Sequence, residues 1–182
     1  MTEKINTYRT TATIVGLMFV AGLIIGIGGN VLNLSILGAP DPLSNVAANS
    51  MLVAVAAFAW LMTVVGDAAH GVLMFPILKQ QHSERIAIGY LAARIVDAVF
   101  IAVMVLFILL QIPLASEYIK AGAADTSYLQ ALSTTFEQVN LYAYHIAMFT
   151  LGIAGLLLCY TFYRAKLVPR LLARGPRNRG RG

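Results

Sequence analysis

Apolar residues fill this chain in long unbroken runs rather than in alternation, and the breaks between runs are short and polar. Four runs exceed the roughly 18 residues needed to cross the hydrocarbon core of a bilayer. They cover about Thr13–Leu37, Met51–Leu78, Ile86–Leu114 and Leu141–Tyr163. Each is long enough for a tilted helical span at about 1.5 Å per residue. Barrel strands would alternate apolar and polar positions, so the pattern predicts an all-α fold, an integral membrane four-helix bundle. The first run follows a basic start, but it is much longer than the roughly 7 to 15 residues of a signal-peptide core and reads as a span.

The outer connections carry helix signals of their own. Asp41-Pro42 has the form of an N-cap followed by proline at the first helical position, and predicts a short helix through about Ala48. Ser127 and Gln130 have capping-box spacing, with Leu129, Leu132, Phe136 and Val139 following at helical intervals. That stretch predicts a second short interfacial helix, lying on the outer surface and leading into the fourth span. With no internal repeat or dividing linker, residues 1–172 read as one transmembrane domain. The closing ARGPRNRGRG (173–182) has almost nothing to bury and reads as a disordered basic tail.

Charge supports the same picture and orients it. The chain is 59% hydrophobic and 12% charged, with mean hydropathy +0.76; a soluble domain carries about 25% charged residues. Lys4 and Arg9 precede the first span, Lys79 and Arg85 flank the second turn, and Arg164, Lys166, Arg170, Arg174, Arg177, Arg179 and Arg181 follow the last span. Only Lys120 falls in the opposite loops, against Asp41, Glu117, Asp125 and Glu137. The positive-inside rule therefore places both termini in the cytoplasm. The seven basic residues after the last span suit anionic lipid head groups at about 1 kcal/mol each. No aromatic or folded reader accompanies them, so nucleic acid is not an expected partner. Cys159, the one cysteine, excludes an internal disulfide and reads as a small packed hydrophobe.

Charge inside the spans is the feature that needs explaining. The second span holds VVGDAAHGV (Val64–Val72) and the third holds YLAARIVDAVF (Tyr90–Phe100). Counted from the cytoplasmic turn, Asp67 and Asp97 lie about 18 Å deep, and His70 and Arg94 about 13 Å. Each pair is spaced i, i+3 and so shares a helix face, which Thr63 and Met74 extend on the second span and Tyr90 on the third. An Arg or Asp at a helix centre costs roughly 2.5 to 3.5 kcal/mol. The set should therefore face inward, with the Arg94 guanidinium bridging both aspartates. With His70 neutral the cluster carries one net negative charge, which favours a proton held somewhere within it. Two readings stay open: an ion-paired clamp between two helices, or a proton-carrying or ligand-binding site.

A second polar zone is expected near the outer face, where Asn30 and Asn33 end the first span and Glu137, Tyr142, Tyr144 and His145 begin the fourth. Most of these suit an interface, and His145 is placed to bond Asn30 across helices. Gly22 and Gly26, with Gly28 and Gly29 following, offer a smooth groove to match Gly152 and Gly155, so packing of the first span on the fourth is expected ahead of dimerisation through the same faces. No HExxH, GxSxG or CxxC motif is present. His70 and His145 differ by about 15 Å in depth, too far apart for a bis-histidine haem, and His82 belongs to the cytoplasmic turn. No metal or cofactor is expected.

The segments MFPILK (Met74–Lys79), GYLAARIVDAV, EYIKAGAADTSYLQ and YRAKLVPRLL, together with Arg94 followed by an acid three residues on, give the chain a resemblance to a bacterial membrane family. That family is the domain of unknown function 4386, and the resemblance runs from about Ala12 to Leu172. It implies a multi-pass protein of the bacterial plasma (inner) membrane and brings no catalytic residues to carry over. It also implies about two further spans after the KLVPR segment, where this chain has only its basic tail. The residues and the resemblance together lead to a non-enzymatic membrane protein, acting through helix contacts with itself or a membrane partner. A small proton-coupled transporter or permease built on Asp67, His70, Arg94 and Asp97 is the alternative.

Overall fold

The computed structural model describes residues 2–81, 83–122 and 126–164. These form five helices and no strands: α1 (Thr2–Leu37), α2 (Pro42–Ala48), α3 (Ser50–Gln81), α4 (Glu84–Ala121) and α5 (Ser127–Arg164). Four of them, α1 from Thr13 on, α3, α4 and α5, are long and apolar enough to span a membrane. Large apolar side chains such as Leu17, Ile24, Phe58, Val99, Phe149 and Leu156 point out of the assembly. In water such a surface would drive association; in a bilayer it is the lipid-facing coat.

Local chemistry sets the helix ends. The Asp41 carboxylate accepts from the Ser44 N–H at 3.3 Å and Pro42 occupies the first turn of α2, as its sequence predicts. Leu43 and Val46 are fully buried, and Asn45 Nδ2 donates to the Ile36 carbonyl at 2.8 Å, satisfying a group that the end of α1 would leave bare. Ser83 caps α4 by accepting from the Ile86 N–H, and Lys79 pairs with Glu84 across the turn at 2.8 Å.

The outer ends of α4 and α5 run further than hydropathy suggests. α4 continues past Leu114 to Ala121 and stops at Gly122, whose φ of 59° an L side chain would resist. The helix expected over the Ser127 region is present but is continuous with the fourth span, not a separate element lying flat. At 38 residues each, these helices are about 57 Å long. They therefore outreach a hydrocarbon core of about 30 Å, and Glu117 and Lys120 form an exposed ion pair on the excess length.

Packing runs α1 on α3, α3 on α4, and α4 on α5, with α2 wedged beneath the outer ends. Buried Ala143, Ala147 and Ala154 let α5 approach α4 closely. The core divides into two apolar layers. Trp60, Ile101, Met104 and Ile108 belong to the outer one, and Met74, Leu78, Ala87 and Tyr90 to the inner one. α1 does not pack on α5, so the expected meeting of Gly22 and Gly26 with Gly152 and Gly155 does not occur within the chain. The reason is steric. α1 turns Gly26 and Gly29 toward the Trp60 ring, and a Cβ at Gly29 would lie 2.9 Å from the indole nitrogen. Around Gly22, Gly152 and Gly155 there is open space. His82 and the basic tail lie outside the described residues.

Candidate functional site

Between the two apolar layers α3 and α4 bring Asp67, Arg94 and Asp97 together. Arg94 Nη1 donates to Asp97 Oδ2 at 3.0 Å, while Nη2 donates to Asp67 Oδ1 in a close contact. One guanidinium thus holds two carboxylates, one from its own helix and one from the neighbouring helix. Gly71 makes this approach possible, because a Cβ there would sit 3.1 Å from Arg94 Cβ and 3.2 Å from Leu91 Cδ1. His70 joins the cluster from the side through Tyr90, whose hydroxyl lies 2.7 Å from Nδ1. With the imidazole proton on Nε2 the phenol is the donor in that bond. Thr63 turns back to its own helix and donates to the Trp60 carbonyl at 2.7 Å.

The triad is the floor of a cleft. A cavity of about 480 Å³ opens between α1 and α5, with walls that include Phe19, Gly26, Trp60, Tyr144 and Met148. That volume lies within the range of small-molecule pockets, which are mostly apolar with a few placed polar groups. Three side-chain atoms buried around it make no hydrogen bond: Trp60 Nε1, Arg94 Nε and Asp97 Oδ1. Orphaned polar atoms at such depth are uncommon in a folded interior, and here all three belong to residues that line the cavity.

The outer polar zone does not assemble in the same way. Asn30 reaches the cleft, while Asn33 stays half-buried on α1 away from it. His145 is exposed beside the Tyr144 ring, and no hydrogen bond joins it to Asn30 among the described residues. Glu137 is half-buried on α5; its Oε1 is buried without a hydrogen bond, as is Nδ2 of Asn140 one turn on. A buried pair that the sequence reading did not single out joins α4 to α5. Ser133 Oγ donates to Gln111 Oε1 at 2.8 Å, and Gln111 Nε2 returns to the Ser133 carbonyl at 3.1 Å. A lone amide in the apolar run FILLQIPL was the available signal.

The profile of the family described as "Domain of unknown function (DUF4386)" matches residues 14–175. The chain belongs to the DUF4386 family. Its four apolar helices make this DUF4386 protein a membrane protein whose surroundings are lipid. No curated protein and no solved structure matches it at a significant level.

Proposed function

We propose that this DUF4386 protein is a non-enzymatic binding element of the bacterial inner membrane, of the small permease type. A small amphipathic molecule enters the cleft between α1 and α5 and sets its polar end on Asp67, Arg94 and Asp97. The observation that carries this reading is that the cavity reaches the ion cluster, where the Asp67 carboxylate is part-exposed. A clamp that served only to hold α3 against α4 would be better sealed. The positive-inside rule orients the protein with both ends in the cytoplasm and the basic tail near anionic head groups.

The test is native mass spectrometry after purification in mild detergent. Gly66 lines the cavity, and a Cβ there meets nothing within 4 Å, so Gly66→Phe should fill the space without disturbing the fold. The parent should carry a small-molecule adduct that Gly66→Phe, melting at the same temperature, has lost. A parent with no adduct, or a variant that keeps it, refutes the reading. A second reading is favoured by the open space over Gly152 and Gly155: contact with another copy or a membrane partner along this smooth face. Mass measurement of the same sample separates monomer from oligomer.

A further inference from the structure

We propose that the molecule selected by the cleft is a hydrophobic cation; this rests on the binding reading above and names its substrate class. The charged groups of the cluster are Asp67, Arg94 and Asp97, which sum to one negative charge with both carboxylates ionised and His70 neutral, a deficit that a bound cation fills in place of a proton. No other charge at the cavity wall offsets it. α1 contributes only Asn30 among polar side chains there, and α5 contributes only Tyr144.

What matters to an arriving molecule is which sign it meets. The Arg94 side chain is 5% exposed and that of Asp97 1%, whereas Asp67 is 25% exposed. The positive group is sealed behind its partners, and the half-satisfied negative one faces the space. Phe19, Trp60 and Tyr144 place aromatic rings on the walls, whose faces attract a cation. An anion would face the same surfaces with every term reversed, except for the buried Arg94 Nε. A bare metal ion is not favoured, because no group of three His, Cys, Asp or Glu side chains gathers among the described residues. The apolar walls call instead for a cation wrapped in hydrocarbon.

Two ions of nearly the same shape and opposite charge make the test: tetraphenylphosphonium and tetraphenylborate. Trp60 is the only tryptophan and lines the cavity, so its fluorescence reports occupancy directly. Each ion is titrated into the full chain in detergent, with Gly66→Phe as the blocked reference for uptake by micelles. The phosphonium should bind at least tenfold more tightly than the borate, and Asp67→Asn should abolish that preference. Asp67→Glu, which keeps the charge, should retain it. If the borate binds as well as the phosphonium, cation selection is wrong while the binding reading stands. If neither ion changes Trp60 emission beyond the blocked reference, both fail. Because the parent alone gives the comparison, the result holds even if Asp67→Asn does not fold.

Discussion

Replacing Arg94 with leucine removes the one group that balances two buried carboxylates. The guanidinium makes two charge-assisted hydrogen bonds, and Asp97 has almost no exposure through which water could take over. Deleting one partner of a buried ion pair costs about 3 to 5 kcal/mol. On a total stability of about 5 to 15 kcal/mol that is a fifth or more, and shifts the folded population by two to nearly four powers of ten. Asp97→Asn should cost only about 1 kcal/mol, because the amide oxygen still accepts from Nη1 and only charge assistance is lost. The double change Asp67→Asn with Asp97→Asn strands the buried guanidinium in turn and should cost about 3 to 5 kcal/mol as well. The triple variant, with Arg94→Leu added to both amides, should recover at least half of the single-variant loss because no charge is left stranded. The assay is the temperature at which half the protein leaves the monodisperse peak in mild detergent. An Arg94→Leu variant that melts with the parent, or a triple variant no better than the single, would refute the ion-balance argument.

Gly71→Val should lower the melting temperature, since its side chain would meet Arg94 Cβ and Leu91 at the helix contact, an overpacking cost of about 1 to 3 kcal/mol. Gly152→Val, with open space around it, should leave the melt unchanged, and the opposite ranking would show the helices packed otherwise. Gln111→Leu and Ser133→Ala should be coupled in a double-mutant cycle by about 0.6 kcal/mol, the average for hydrogen bonds between membrane helices; strict additivity would deny the contact. Cysteine labelling of whole cells should place Ser44 and Glu117 on one side of the membrane and Glu84 and both chain ends on the other. Labelling of Ser44 and Glu84 from the same side would overturn the orientation.

The spans were readable because a bilayer demands unbroken hydrocarbon, and residues such as those of Val99–Leu110 leave no alternative. The ends of α4 and α5 were harder to read, because hydropathy marks the edge of the lipid and not the end of the helix. Ser116–Ala121 and Ser127–Asn140 are polar enough to leave the membrane, yet nothing before Gly122 stops the backbone from staying helical. The ion triad followed from i, i+3 spacing and depths within one helical turn of each other on a tight hairpin. The Tyr90 contact to His70 did not, since counting residues gives level but not side-chain reach. Glycine placement misled for a related reason. Small-residue spacing says that something can approach α1 closely, but not that the visitor would be the indole of Trp60 rather than α5.

The hairpin of α3 and α4 has one more consequence, for how the protein is made. Asp67 emerges from the ribosome 27 residues ahead of the arginine that neutralises it. On its own, α3 would enter the lipid carrying an unmatched carboxylate, at roughly 2.5 to 3.5 kcal/mol. Release of that helix before its neighbour arrives is therefore disfavoured, and the two should leave the insertion machinery as one body. In that sense the turn at Ser83 also works as a timing device: it is short enough that the second helix follows at once.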